Sequence, residues 1–338
     1  MNIEQLKLTI RQQNTPWDDI REKTEKYSYT PHKSTDPESL AGEMFSAALQ
    51  KAFAGQAITT SQSKMAVWYL NNKIFVRLDL FKNTLGSPSR TGSAFFTSED
   101  GQEFTKTIVS ANLQGVQYTN GRFLVNDIHG IYYSKSGYNW DYVSGEDISE
   151  NCDYIRDIIH DGKQYIVLYD DSDDVQFIAK AKKIKTGWES FELDVEEDCY
   201  EIAFCNDIYY LEGETEDGTC VVYTSDDAEY WCEADESDAC DPDDVEVGDY
   251  FIEEDEDDDN LYLRKKREQY DPDRVYGENI FFFVEHDNEI CVKELPKGKK
   301  YKLADAPFDV TCIFFHEEKL LLFGTHLEFA IGDVTVSE

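Results

Sequence analysis

Short strand-like runs separated by tight-turn signals recur along most of this chain, and that recurrence limits the possible fold more than any other feature. The first pair is Val67-Trp68-Tyr69-Leu70 and Lys73-Ile74-Phe75-Val76, joined by Asn71-Asn72. A second is Gly115-Val116-Gln117-Tyr118 and Arg122-Phe123-Leu124-Val125, joined by Asn120-Gly121. A third runs from Ile202-Ala203-Phe204-Cys205 through Asn206-Asp207 to Ile208-Tyr209-Tyr210. Asn-Gly and its relatives between such runs are strong hairpin signals, because a type I′ turn needs two residues at positive φ. Units begin near residues 67, 116, 158, 202, 279 and 312, a spacing of about 35–50 residues apart from one wide gap. That period, with several strands per unit, is the pattern of a β-propeller blade. The expectation is an all-β propeller of about six blades over residues 61–338, with an acidic insertion at about 233–260 in the wide gap.

Residues 1–60 read differently. Ile3, Leu6, Leu8 and Ile10 follow helical spacing only in part. Further on, Thr35 or Asp36 can cap a helix, Pro37 suits its first position, and Leu40, Met44, Phe45, Ala48, Leu49 and Phe53 recur at helical spacing up to Gly55. The expected element is a helix at about 37–54, within a helical N-terminal extension.

Three turns share one register. They are Ser98-Glu99-Asp100-Gly101-Gln102-Glu103-Phe104, Ser134-Lys135-Ser136-Gly137-Tyr138-Asn139-Trp140 and Ser225-Asp226-Asp227-Ala228-Glu229-Tyr230-Trp231. Ser opens each, a small polar or acidic residue follows two later, Gly or Ala three later, and a large aromatic six later. A weaker fourth copy ends at Trp188. The pattern resembles the Asp-box, the S-x-D-G-x-x-W turn of sialidase-like β-propellers. Asp and Ser side chains bond nearby amides in such a turn, Gly permits a left-handed backbone, and the aromatic packs back over the hairpin. The resemblance implies a structural role for Ser98, Asp100, Gly101, Phe104, Ser134, Ser136, Gly137, Trp140, Ser225, Asp227 and Trp231. The sialidase F/Y-R-I-P motif is absent; Tyr154-Ile155-Arg156-Asp157 is the nearest string and does not match. No catalytic residue is therefore carried over.

Other chemistry leaves little trace. The six histidines form neither HxH nor HExxH, and no CxxC, Walker loop or GxGxxG occurs. The eight cysteines read as reduced thiols, since the opening residues carry no signal-peptide pattern, and no apolar run is long enough to span a membrane. The run Asp255-Glu256-Asp257-Asp258-Asp259-Asn260 fails as an EF-hand loop, which wants Gly at its sixth position and Glu at its twelfth; here those are Asn260 and Lys266. The sequence thus calls for no metal and no cofactor.

Charge is the remaining signal. Net charge is −38, nearly all of it after Ser61, and Asp226–Asp259 holds nineteen Asp and Glu with no Lys or Arg. Such a surface repels nucleic acid and anionic membrane and attracts a basic protein or the basic surface of an assembly. The same segment carries Tyr230, Trp231, Tyr250 and Phe251, apolar area that a solubility tail does not need. These four, with Asp255, Glu256, Asp257, Asp258 and Asp259, are the expected partner-binding residues. The expectation is a cytoplasmic, non-enzymatic binding propeller acting as an inhibitor, immunity protein or nucleic-acid mimic. The alternative is a divergent glycan-binding protein or glycoside hydrolase.

Overall fold

The computed structural model describes residues 6–15, 17, 64–84, 87–110, 112–235, 238–239, 250–254, 261–265, 275–276, 280–285, 288–294, 298–316, 319–324 and 328–336. Among these residues, strands form seven antiparallel sheets, six of four strands and one of two. Sheet one holds β2 (Lys64–Leu70), β3 (Lys73–Thr84), β4 (Ser87–Ser98) and β5 (Thr105–Ser110). Sheet two holds β6 (Val116–Thr119), β7 (Arg122–Asp127), β8 (Gly130–Ser134) and β9 (Asp141–Ser144). Sheet three is β10 (Tyr154–His160), β11 (Tyr165–Asp170), β12 (Gln176–Ala181) and β13 (Glu189–Glu192). Sheet four is β14 (Asp198–Cys205), β15 (Ile208–Glu214), β16 (Cys220–Ser225) and β17 (Cys232–Glu233). Sheet five has β18 (Tyr250–Glu254) and β19 (Leu261–Lys265); sheet six has β20 (Val275–Tyr276), β21 (Ile280–Val284), β22 (Glu289–Glu294) and β23 (Lys300–Asp305). Sheet seven joins β24 (Val310–His316), β25 (Lys319–Gly324) and β26 (Phe329–Val336) to β1 (Leu6–Gln12), so the start of the chain completes the last sheet.

Neighbouring sheets pack face to face. Ile74, Val76 and Leu78 of β3 meet Leu321 and Phe323 of sheet seven, whereas Phe75 turns the other way to meet Phe123 of sheet two. On β11, Tyr165, Val167 and Tyr169 face sheet two, and Ile166 and Leu168 face sheet four. On β25, Leu321 and Phe323 face sheet one, and Leu320 and Leu322 face sheet six. Alternate side chains point to opposite faces, and here both faces are covered. That is why these middle strands read as unbroken apolar runs. Clusters of this kind join sheets seven to one, one to two, two to three, three to four, four to five and six to seven. Consecutive up-and-down sheets packed this way, with the first strand lodged in the last sheet, make a β-propeller.

The three two-residue hairpins read from the sequence are present. Leu70 pairs Lys73, Thr119 pairs Arg122, and Cys205 pairs Ile208. The linking residues Asn71 and Asn72, Asn120 and Gly121, and Asn206 and Asp207 all have positive φ, as a type I′ turn requires.

Two expectations are corrected. The N-terminal extension is not wholly helical: Leu6–Gln12 is a strand paired with β26 from Leu6↔Val336 to Gln12↔Ala330. Leu6, Leu8 and Ile10 alternate at period two and face the core between sheets six and seven. The expected helix at 37–54 lies outside the described residues. The stretch 233–260 is also not all insertion, since it contributes the end of β17 and all of β18. Six unit starts therefore become seven sheets, the additional one falling in the wide gap. The only helix among the described residues is α1 (Gly145–Ile148), and none is long and apolar enough to cross a membrane.

Candidate functional site

The three turns occupy one structural position. Ser98, Ser134 and Ser225 each end the third strand of their sheet, and the turn leads into the fourth. The Ser hydroxyl accepts an amide from the residue three later at 2.9 Å in all three: Gly101, Gly137 and Ala228. Those three residues have φ of +68°, +76° and +57°. Asp100 Oδ1 then accepts the Gln102 and Glu103 amides at 2.8 and 3.1 Å, and Asp227 Oδ1 accepts those of Glu229 and Tyr230 at the same two distances. Ser136 makes the equivalent bonds to Tyr138 and Asn139 with a hydroxyl, at 3.2 and 3.3 Å. Desolvation alone would raise the Asp100 carboxyl, but these amides and Ser98 outweigh it and hold it below its ordinary value. The Glu229 and Tyr230 amides do the same for Asp227.

The turn aromatics lie between their own sheet and the one before it, and Trp140 Nε1 also donates to the Gly137 carbonyl of its own turn at 3.0 Å. Phe104 lies 5.4 Å from Phe329 of sheet seven, and Trp140 lies 6.4 Å from Phe75 of sheet one. Trp231 packs on the cluster between sheets three and four. A Cβ on Gly137 would sit 2.9 Å from Phe75 Cζ, so this turn presses directly on its neighbour. Thr97 of sheet one also donates to the Gly137 carbonyl at 3.0 Å, and Lys180 of sheet three donates to the Asp227 carbonyl at 3.0 Å. The Trp188 turn also links third and fourth strands. There Trp188 Nε1 donates to the Ile184 carbonyl at 3.2 Å, and Lys182 stands where the others have Ser.

Beside the third turn lies a cleft of 430 Å³, lined by Ile208, Tyr210, Thr224, Ser225, Asp226, Asp227, Tyr230, Cys232, Asp238 and Ile252. It opens where sheet four meets the short sheet five. Three of its lining residues are aspartates, and none is Lys or Arg. Tyr230 is 79% exposed, the most exposed large hydrophobic side chain among the described residues.

The expected partner-binding residues divide. Tyr230 is on the surface at the cleft. Trp231 is half-buried against the sheet three–four core. Tyr250 packs on the cluster joining sheets four and five, and Phe251 is 7% exposed. Asp255, Glu256, Asp257, Asp258 and Asp259 lie outside the described residues. Sequence reasoning did not single out Asp226 and Asp238 as cleft residues, because acids are so common in this stretch that spacing cannot rank them.

Two other charged clusters are engaged within the fold. Arg156 donates from Nε to both oxygens of Asp170 at 2.8 Å, and its Nη2 lies 2.7 Å from Asp198. Glu285, Glu289 and Cys291 bring potential metal-ligand atoms within 4.8 Å of one another. Lys300 pairs Glu285 and Lys302 pairs Glu289, each at 2.6 Å, and burial pushes the Cys291 thiol up, so this group is an ion-pair network around a neutral thiol. No disulfide joins the described cysteines.

No protein-family model matches the chain, and no curated protein matches it in sequence. Solved structures give distant likenesses. The β-propeller domain of the Trilobed protease from Pyrococcus furiosus is 9% identical with a TM-score of 0.39, over 77% of this chain and 90% of that one. Virginiamycin B lyase from Staphylococcus aureus is 10% identical with a TM-score of 0.38, over 80% and 99%. Trypanosoma rangeli sialidase is 9% identical with a TM-score of 0.36, over 79% of this chain and 54% of that one. Likeness at this level carries no argument about activity.

Proposed function

We propose that this chain is a non-enzymatic, seven-bladed β-propeller with degenerate Asp-box turns, and that it binds a basic macromolecular partner through an acidic, aromatic surface. The observation that carries the reading is the cleft beside the third turn, where an exposed Tyr230 stands with Asp226, Asp227 and Asp238 and no basic residue. Net charge of −38 supports it, because opposite charge speeds encounter with a basic protein and repels anionic ligands. The roles that need only such binding are a cytoplasmic inhibitor or immunity protein for a nuclease, a nucleic-acid mimic, or a subunit of an assembly.

The test starts with cross-linking in the native host and identification of the linked protein by mass spectrometry. Association of the purified pair is then followed across a salt series. The reading expects a basic partner whose association rate falls steeply with salt. Neutralising Asp255, Glu256, Asp257, Asp258 and Asp259 together should slow association and flatten the salt slope. Hydrolysis of a glycoside panel, or a sugar retained through purification, would overturn the reading in favour of a carbohydrate-active propeller.

A further inference from the structure

The chain contains a worked example of what the Tyr230 cleft lacks. On β10, the Arg156 guanidinium lies 5.9 Å from the Tyr154 ring and is held by the carboxylates of Asp170 and Asp198. Arg264 over Tyr262 at 4.4 Å, with Glu253 at 3.3 Å from its Nε, repeats the combination in sheet five. Each set has a ring, at least one carboxylate and an arginine from the same chain. At the cleft the ring and the carboxylates are present, and none of the lining residues is a cation; Lys180, beside the turn, is paired with Glu229. Among the described residues the Tyr230 ring has no aromatic or cationic neighbour and its phenol has no hydrogen bond. The Asp227 carboxylate is engaged by the amides of its own turn. Asp238 uses one oxygen on the Asp235 amide, at 2.9 Å. The exposed Asp226 carboxylate takes no part in the turn's bonds.

We propose that this cleft is an arginine socket: a partner protein's arginine stacks on Tyr230 and is bonded by Asp226 and Asp238. This deepens the binding function proposed above and rests on it. Arginine is favoured over lysine because a planar guanidinium both stacks on a ring and offers paired donors to carboxylates, whereas an ammonium is a more strongly hydrated point charge. The cleft also has room for the aliphatic stem, with Ile208 and Ile252 among its walls. The backbone that carries Tyr230 is held by the 3.1 Å bond from its amide to Asp227, so the ring is presented from a fixed turn.

The experiment uses the full chain with fluorescent oligo-arginine and oligo-lysine peptides of equal length, read by anisotropy at low and moderate salt. The expected result is about tenfold tighter binding of oligo-arginine. Tyr230→Ala should reduce that preference to within about twofold, and Tyr230→Phe, which keeps the ring, should retain it. Asp226→Asn with Asp238→Asn should weaken the arginine peptide more than the lysine peptide. Unchanged thermal melting of the variants shows that the fold is kept. Equal, salt-sensitive binding of both peptides would overturn the socket and leave the charge-based function standing. Failure of both peptides to bind at low salt would overturn both.

Discussion

Asp157 lies on β10 beside an irregularity, where the register with β11 shifts between Ile155 and Asp157. Its Oδ1 accepts the Ile158 amide at 2.8 Å, and its Oδ2 accepts the Ile202 amide of the next sheet at 3.1 Å. The first strands of these two sheets do not pair with each other, so a side chain bridges them. Gln117 does the same one sheet earlier, donating to the Ile158 carbonyl at 2.6 Å. Burial pushes the Asp157 carboxyl up to about 7; the two amides pull it down by less, and Glu201 adds a like charge. An unfolded carboxyl releases its proton near 4, roughly three units lower. Between those values the folded state holds a proton that the unfolded state has lost. This group's contribution therefore favours folding at low pH and is lost as pH rises from about 4 through about 7. Denaturant midpoints at pH 5 and pH 8 check it: Asp157→Asn should fall less over that interval than wild type. Equal pH slopes would show that Asp157 does not titrate in this range.

The turns show how side-chain chemistry fixes an element. A Ser hydroxyl and an Asp or Ser oxygen satisfy three successive amides that the end of a strand would otherwise leave unpaired. Ala228 holds the same left-handed backbone as Gly101 and Gly137, although a left-handed conformation costs an alanine roughly 1 kcal/mol or more. Its methyl is fully buried in the sheet three–four core, which offsets part of that cost. Ser225→Ala leaves the buried Ala228 amide without its acceptor, and Asp227→Ala frees two exposed amides to water. Both should destabilise, Ser225→Ala by about 1–3 kcal/mol and Asp227→Ala by about 1 kcal/mol. Chemical denaturation of the single variants checks the order; an Asp227→Ala loss larger than the Ser225→Ala loss would contradict it. Elements of this local kind were legible in the sequence. Their turn residues, strand ends and aromatics sit within seven positions of one another, and the hairpin turns declare their need for positive φ. That Phe104 and Trp140 also reach the sheet before them was not legible, because it depends on which sheet lies behind the turn. Sheet five was hidden for a different reason: Tyr250-Phe251-Ile252 and Leu261-Tyr262-Leu263 form an ordinary strand pair whose apolar signal is diluted by the acids between them. The same abundance of acid hid the cleft: of its lining residues, Ser225 and Asp227 were named in advance only for the turn, and Tyr230 alone for binding.

Closure of the propeller rests on a contact that no local pattern announces. β1 pairs with β26 across more than three hundred residues, and although Leu6, Leu8 and Ile10 alternate as in a strand, nothing in those seven residues names the partner. Leu6 is 6% exposed in the core shared with sheet six, Leu8 and Ile10 pack beside it, and Leu8 Cδ1 would lie 2.6 Å from a Cβ placed on Gly332. Trp17 follows, fully buried and in edge contact with Phe96, Phe104 and Phe329, so it joins sheets seven and one. Leu6→Ala should cost about 2–3 kcal/mol, at the low end for a core leucine because the strand end can relax. Removing residues 1–12 goes further. It strips the outer partner from β26 and presents a row of unpaired backbone groups, a template for association with another chain. Net charge of −38 opposes that association at low salt, since every copy repels every other. The truncated chain should therefore remain dispersed at low salt and self-associate as salt rises and screens the repulsion, while the intact chain remains monomeric throughout. Light scattering across a salt series, with a thermal melt at each point, makes the comparison. A truncated chain that melts with the intact one and stays monomeric at high salt would mean that sheet seven stands on three strands, and that β1 covers an edge already protected by other means.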